Sequence, residues 1–315
     1  MRRLQPGAGP TLPTIITLAF LFLLSSPMPT DPNPDEPAAI DLYLELMAKT
    51  LAASIYDESA WSVLNYGRPG WKGLRHPRRF ASALFKYFLG QMAAKRSTIL
   101  VKQWGFKEPE RKDGRDFPFI GYTMIGLRRL ENIRFCTEEV LRHKVPGDLI
   151  ETGVWRGGTT IFMRALLQAH GVTDRKVWVA DSFQGLPATS GDGDDWDLSR
   201  NDYFKVSLAE VKANFAKFGL LDGQVEFLPG WFCDTLPSAP ITRLAVLRLD
   251  GDLYSSTMDA LKNLYHKVSP GGYVIVDDYQ SWASCRRAVT EFLDGLGLKP
   301  EIKTIDQDGV YWRKE

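Results

Sequence analysis

Asp148-Leu-Ile-Glu-Thr-Gly-Val-Trp-Arg-Gly-Gly158 reads as an apolar strand that breaks into a glycine-rich turn and opens a helix. A strand, turn and helix of this kind begins an open parallel sheet, whose ligands sit beyond the carboxyl ends of its strands. From Val145-Pro-Gly onward the alternation is regular. Strand 148–151 leads to a helix at 158–169, and Val177-Trp-Val-Ala-Asp181 is the second strand. Ser207-Leu-Ala-Glu210 is a capping box, with Leu208, Val211, Phe215 and Phe218 as the buried stripe of the helix it starts. Val225-Glu-Phe-Leu228 is a third strand and 244–250 a fourth, followed by a helix over 256–267. Gly271-Gly-Tyr-Val-Ile-Val-Asp277 is the fifth, before a helix at 284–295. Lys303-Thr-Ile-Asp-Gln-Asp-Gly-Val-Tyr-Trp312 closes as strand, turn and strand, which predicts an antiparallel edge. Strands that alternate with helices imply an α/β fold, a mostly parallel seven-stranded sheet with helices on both faces.

Upstream the pattern is looser. Residues 28–38 are a Pro- and acid-rich lead-in, and Ile40, Leu44, Met47, Leu51 and Ile55 recur at helical spacing. The next hundred residues, mixed in composition, read as helices and loops that cap the domain after them. Thr123-Met-Ile-Gly-Leu-Arg-Arg-Leu-Glu-Asn-Ile133 continues as a helix toward His143. The organisation is thus an N-terminal extension (1–39), a helical lid and oligomerisation region (40–144) and a ligand-binding core (145–315).

At 315 residues and 44% hydrophobic content the chain can bury a large core, and its net charge of +1 selects neither nucleic acid nor membrane. Residues 68–115 carry thirteen Lys/Arg against three acids, while 181–202 carry six Asp and one Arg. Both read first as solvated surface, the basic stretch alternatively as a docking face for an acidic surface or a partner subunit. No nucleic-acid motif accompanies the charge. Cys136, Cys233 and Cys285 are odd in number and lack CxxC spacing, which argues for core thiols and a reducing, cytoplasmic setting. The start of the chain conflicts with that. Met1-Arg-Arg precedes the apolar run Ile15-Ile-Thr-Leu-Ala-Phe-Leu-Phe-Leu-Leu24, shorter than the ~20 residues of a membrane span. A cleaved signal, a weak anchor through residues 12–24, and an over-long start with Met28 as initiator all remain open.

The turn after the first strand is not a dinucleotide fingerprint, because it lacks Gly-x-Gly-x-x-Gly. Instead Glu151 stands two residues before Gly153, placed to accept from an ammonium group, and Gly153 lets backbone approach a ligand. Asp181 ends the second strand as an acceptor for ribose hydroxyls. Pro229-Gly-Trp-Phe232 offers an aromatic face for an adenine. An amino-acid end, a ribose and an adenine without phosphate are the parts of S-adenosylmethionine.

Two further strand tips, Arg248-Leu-Asp-Gly-Asp252 and Val274-Ile-Val-Asp-Asp278, carry acidic clusters. Asp250, Asp277 and Asp278 brought together make an all-oxygen site for Mg²⁺ or Mn²⁺ rather than zinc. Asp252 is a fourth candidate, with helix capping as its alternative role. A cation there lowers the pKa of a hydroxyl, and Asp250, as ligand and base, takes the proton. His143, His170 and His266 lie away from the tips and read as ordinary residues.

Thr123-Met-Ile-Gly-Leu, Val145-Pro-Gly-Asp-Leu-Ile-Glu-Thr-Gly-Val-Trp-Arg-Gly-Gly158, Ala180-Asp-Ser-Phe-Gln-Gly-Leu-Pro187, Phe227-Leu-Pro-Gly-Trp-Phe-Cys-Asp-Thr-Leu-Pro237, Leu247-Arg-Leu-Asp-Gly-Asp252 and Gly272-Tyr-Val-Ile-Val-Asp-Asp-Tyr279 resemble the macrocin O-methyltransferase family from about Asp41 to the C-terminus. The resemblance implies a class I methyltransferase (Rossmann-like) fold with an N-terminal helical lid, and a homo-oligomer. It also implies Mg²⁺-dependent methylation of a hydroxyl on a small glycosidic natural product. Cofactor contacts would fall at Glu151, Thr152, Gly153, Val154, Asp181, Ser182, Gly230, Trp231 and Asp250. Metal ligation would fall to Asp250, Asp277 and Asp278. The hydrophobic extension before Asp31 is foreign to the family pattern, and 191–196 matches none of its motifs. Catechol-type methylation of a phenol and a catalytically silent cofactor-binding module are the alternatives; a nicotinamide dehydrogenase would need the missing phosphate loop.

Overall fold

The structure, a computed structural model, describes residues 39–56, 107–116, 118–188 and 201–315, with 61–63, 85, 87–88, 92, 101–103 and 199. The apolar run at 15–24 and most of the acidic stretch lie outside these residues. No helix among those described is long and apolar enough to cross a membrane. The chain divides into two units, 1–42 and 43–315, and the second carries the sheets and the site.

In chain order the elements are α1 (Ala39–Leu51), β1 (Trp61–Val63), β2 (Val101–Gln103), α2 (Glu108–Lys112), α3 (Gly126–Arg142), β3 (Asp148–Thr152), α4 (Gly158–Ala169), β4 (Val177–Asp181), α5 (Leu208–Lys217), β5 (Val225–Pro229), α6 (Phe232–Thr235), β6 (Leu244–Leu249), α7 (Tyr254–Leu264), β7 (Val268–Val276), α8 (Ala283–Gly295), β8 (Lys303–Thr304) and β9 (Val310–Arg313). Seven strands form one sheet in the order β5-β4-β3-β6-β7-β9-β8. The order reverses between β3 and β6, and this switch point opens a crevice over the strand tips. The anticipated antiparallel edge is present. It is β9, paired antiparallel to both neighbours, that inserts between β7 and β8, leaving two-residue β8 at the rim. Val310 and Trp312 explain the insertion: both are buried on the sheet, whereas β8 is exposed. Short β1 and β2 pair antiparallel in a region that reads as helix and loop in sequence. The pairing is carried by Trp61, Ser62 and Val63, too short a run to signal a strand.

Alternation along the strands feeds two cores. Leu149, Val179, Val246 and Ile275 join α3, α4 and α5 on one face. Ile150, Ala180, Leu247 and Val276 join α7 and α8 on the other. Each fully buried large apolar side chain, such as Phe162 or Leu149, contributes about 2 kcal/mol. Ser207 is the N-cap of α5, its Oγ accepting from the Glu210 N–H at 3.2 Å. α3 packs in the same cluster as β3 and α4, and so does the Leu44 and Leu51 face of α1. Arg111, in the basic stretch, is buried rather than solvated. Its Nη1 donates to the carbonyls of Ala52 and Ala53 at 3.0 and 3.1 Å, just past the end of α1.

Candidate active site

The face that carries Val246 also carries Arg248, with Glu151 of β3 and Ile275 of β7 beside it in register. The strands then end, and Asp250, Asp277 and Asp278 emerge at adjacent tips. One oxygen from each of the three lies within 4.8 Å of the others. Backbone bonds hold this register past the strand ends: Asp250 N–H donates to Thr152 O and Asp277 N–H to Leu249 O, both at 2.9 Å.

Two buried arginines organise the carboxylates. Arg248, fully buried, donates from Nη1 to Glu151 Oε1 and to Asp250 Oδ2 (2.7 Å), and from Nη2 to Asp277 Oδ1. Arg129 of α3 takes the other oxygen of Asp277, and binds Asp306 and Asp308 of the β8–β9 turn at 2.8 Å each. With Asp252 and Asp278 beside them, seven carboxylates (Glu151, Asp250, Asp252, Asp277, Asp278, Asp306 and Asp308) therefore cluster around two guanidinium groups. The imbalance shows in the proton affinities of Glu151, Asp250, Asp252 and Asp278. Burial pushes Glu151 up to about 8 against the pull of Arg248. Burial and the charges of Asp250 and Asp277 push Asp252 up to about 8, and burial and Asp277 push Asp250 up to about 6. Asp278 is raised by burial and then by Asp252, Asp250 and Asp277. Asp278 Oδ2 and Glu151 Oε2 are buried without a hydrogen-bond partner. Such atoms cost free energy unless something pairs with them.

A cavity of about 340 Å³ opens over these groups, walled by Trp155, Phe204 and Trp282 and floored by Glu151, Asp250 and Asp278. A second, of about 210 Å³, adjoins it through Gly153, Asp181 and Asp250 and runs along Ser182, Trp231 and Phe232. Two of the five non-glycine residues with left-handed backbone among the described residues, Trp155 and Asp252, line this cleft, where strain tends to be concentrated. Gly153 has φ +91°, and a Cβ there would come within 1.8 Å of the Asp250 carbonyl oxygen. Gly153→Ala is expected to destabilise the fold by about 3 kcal/mol or more, read as a lower urea midpoint.

The residues singled out from sequence separate into two groups. Glu151, Gly153, Val154, Asp181, Ser182, Trp231, Asp250, Asp277 and Asp278 line one cavity or both. Thr152 and Gly230 do not: Thr152 points to the opposite sheet face with its hydroxyl on Arg248 O at 3.4 Å, and Gly230 N–H donates to Asp181 O at 2.9 Å. Both serve through backbone. Asp181 accepts from the N–H of Val154 (2.8 Å) and of Phe183 (2.7 Å), and thus pins the two loops that border the cleft. Asp252 lines the cavity and does not cap α7, whose N-cap is Leu253. Cys233 is exposed, unlike buried Cys136 and Cys285, which corrects the expectation of three core thiols. No histidine lines either cavity. Sequence reading passed over Arg248 and Arg129. Arg248 left a trace, a charge inside the apolar run Leu244-Ala-Val-Leu-Arg-Leu249, which must be paired when buried.

Comparison with known proteins agrees with this geometry. The family model described as Macrocin-O-methyltransferase (TylF) matches residues 40–314. The chain belongs to the macrocin-O-methyltransferase family. It is accordingly an S-adenosylmethionine-dependent O-methyltransferase with a class I-like α/β fold. Demethyldecarbamoylnovobiocin O-methyltransferase of Streptomyces niveus is 49% identical over 278 residues, 87% of this chain and 93% of that protein. Mycinamicin III 3''-O-methyltransferase of Micromonospora griseorubida is 51% identical over 222 residues, 68% of this chain and 87% of that one. Among solved structures, the O-methyltransferase NovP superposes with a TM-score of 0.71 at 47% identity, covering 87% of this chain and 99% of that one.

Proposed function

We propose that this family member is a divalent-cation-dependent O-methyltransferase that methylates a sugar hydroxyl of a glycosylated natural product. The observation that carries the reading is the excess of buried carboxylates around a cleft that adjoins Glu151 and Asp181. The donor set is all oxygen, Asp278 Oδ2 lacks a partner, and like charges raise the proton affinities of Asp250, Asp252 and Asp278. These features fit a cation such as Mg²⁺ or Mn²⁺ held by Asp250, Asp277 and Asp278. A further relative, of Streptomyces olivaceus and 56% identical over 205 residues, is named a 4'-O-methyltransferase of 8-demethyl-8-(2,3-dimethoxy-alpha-L-rhamnosyl)-tetracenomycin C, a rhamnosyl-bearing molecule, which supports a sugar hydroxyl as acceptor.

A bound cation supplies a lowered hydroxyl pKa at the acceptor, and S-adenosylmethionine supplies an electrophilic methyl on sulfonium sulfur. Glu151 would accept from the cofactor's ammonium through Oε2 and Asp181 from its ribose hydroxyls, with Trp231 and Phe232 placed to flank an adenine. Asp250 takes the hydroxyl proton on Oδ1, since Oδ2 is held by Arg248. Methyl transfer would form the oxygen–methyl bond as the sulfur–methyl bond breaks, its electron pair staying on sulfur. Trp155, Phe204 and Trp282 exclude water from the larger cavity and flank the acceptor. Gly114, Thr123 and Arg129 reach that cavity from the 40–144 region, which supports its role as a lid. A homo-oligomer rests on family resemblance, and light scattering of the full chain decides it.

Calorimetric titration of S-adenosylmethionine tests the cofactor half. Saturable binding is expected, weakened about tenfold or more in Asp181→Ala. Absence of binding by folded wild type would overturn the reading.

A further inference from the structure

Arg248 stands out because it touches both halves of the proposed site. It is the penultimate residue of β6 and fully buried, with no route to solvent. One nitrogen, Nη1, is shared between Glu151 Oε1 and Asp250 Oδ2, and the other, Nη2, binds Asp277 Oδ1. The three carboxylates come from three adjacent strands, β3, β6 and β7. Glu151 belongs to the cofactor subsite and the two aspartates to the cation subsite. No other cation among the described residues joins them: Arg129 reaches Asp277, Asp306 and Asp308 but not Glu151.

We propose that Arg248 is a positioning residue, whose rigid fork holds Glu151, Asp250 and Asp277 in one register and so fixes the cofactor's methyl against the acceptor hydroxyl. The proposal rests on the reading of the cofactor and cation subsites given above. Methyl transfer needs the attacking oxygen, the methyl carbon and the sulfur in line, and misplacement by about 1 Å costs about 100-fold in rate. A planar guanidinium with donors at fixed angles can span three carboxylates. A lysine ammonium is a point charge on a flexible stem and cannot. With Oε1 of Glu151 taken, Arg248 also leaves Oε2 as the Glu151 oxygen for an ammonium. The same sharing makes Glu151 part of the cation site's electrostatics although it is no ligand. Removing its charge leaves the whole guanidinium charge to Asp250 and Asp277, which weakens their hold on a cation.

Arg248→Lys keeps the charge and loses the fork. Kd for S-adenosylhomocysteine and for Mg²⁺, measured calorimetrically, should stay within about threefold of wild type, while kcat falls about 100-fold at unchanged acceptor KM. A kcat within about threefold of wild type, or a rate loss matched by lost S-adenosylhomocysteine binding, would overturn the positioning role. Should Arg248→Lys fail to fold, Glu151→Gln decides. Its Mg²⁺ affinity, measured without cofactor at about pH 9, where Glu151 carries its charge, should weaken about threefold or more, and an unchanged affinity would overturn the proposal. Wild-type protein that binds no S-adenosylhomocysteine at all would instead sink the cofactor reading on which this rests.

Discussion

Asp250→Asn is expected to lower kcat about 10³-fold while S-adenosylhomocysteine still binds with affinity close to that of wild type. The substitution keeps the side chain's shape and its Oδ acceptor for Arg248 Nη1, so the strand tip should stay in place. What it removes is the negative charge that faces the cation and the base that receives the acceptor's proton. Both losses act on the chemical step, which is why the effect should appear in kcat rather than in cofactor affinity. Asp202→Asn, whose side chain is 88% exposed and pairs with Lys205, serves as a control expected to behave as wild type. A kcat for Asp250→Asn within about threefold of wild type would remove Asp250 from the mechanism.

The stability of the ligand-free protein should fall as pH rises, the reverse of the usual behaviour of carboxylates. Glu151 and Asp252 are raised to about 8 and Asp250 to about 6. Unfolded, such groups titrate near ~4. Between those limits the folded chain binds more protons than the unfolded one, so the unfolding free energy decreases with increasing pH. The stabilisation is present below about pH 4 and is lost as pH rises through 6 and then 8. In EDTA, Tm at pH 8.5 should therefore lie about 5 °C or more below that at pH 5.5. Mg²⁺ should restore it at pH 8.5 and do little at pH 5.5, because a cation binds only the deprotonated carboxylates. A Tm that is flat across this range, or indifferent to Mg²⁺ at pH 8.5, would contradict a cation site built on these groups.

Much of this site is written in local sequence, and the reason is topological. Parallel strands place their last residues in one crevice, so acids ending β3, β4, β6 and β7 converge once the alternation of strand and helix is recognised. Glu151, Asp181, Asp250, Asp277 and Asp278 were legible on that ground. Arg129 was not, because its partners lie 148, 177 and 179 residues away and nothing in α3 marks it as other than a surface base. The path of the final hairpin was hidden for a similar reason. Whether β8 or β9 pairs with β7 depends on which buries its side chains on the existing sheet, and Trp312 settles that only in three dimensions. Thr152 and Gly230 lie inside motifs that resemble the family, yet their contribution is a carbonyl and an N–H. Motif reading does not distinguish backbone from side-chain roles.

The most direct test is transfer of labelled methyl from S-adenosylmethionine by wild-type protein to a panel of glycosides and phenols, in Mg²⁺ and in EDTA. The expected result is label on a sugar hydroxyl, lost in EDTA and recovered when Mg²⁺ is restored. Label confined to phenols, transfer undiminished by EDTA, or no transfer by protein that binds the cofactor would contradict a cation-dependent sugar O-methyltransferase.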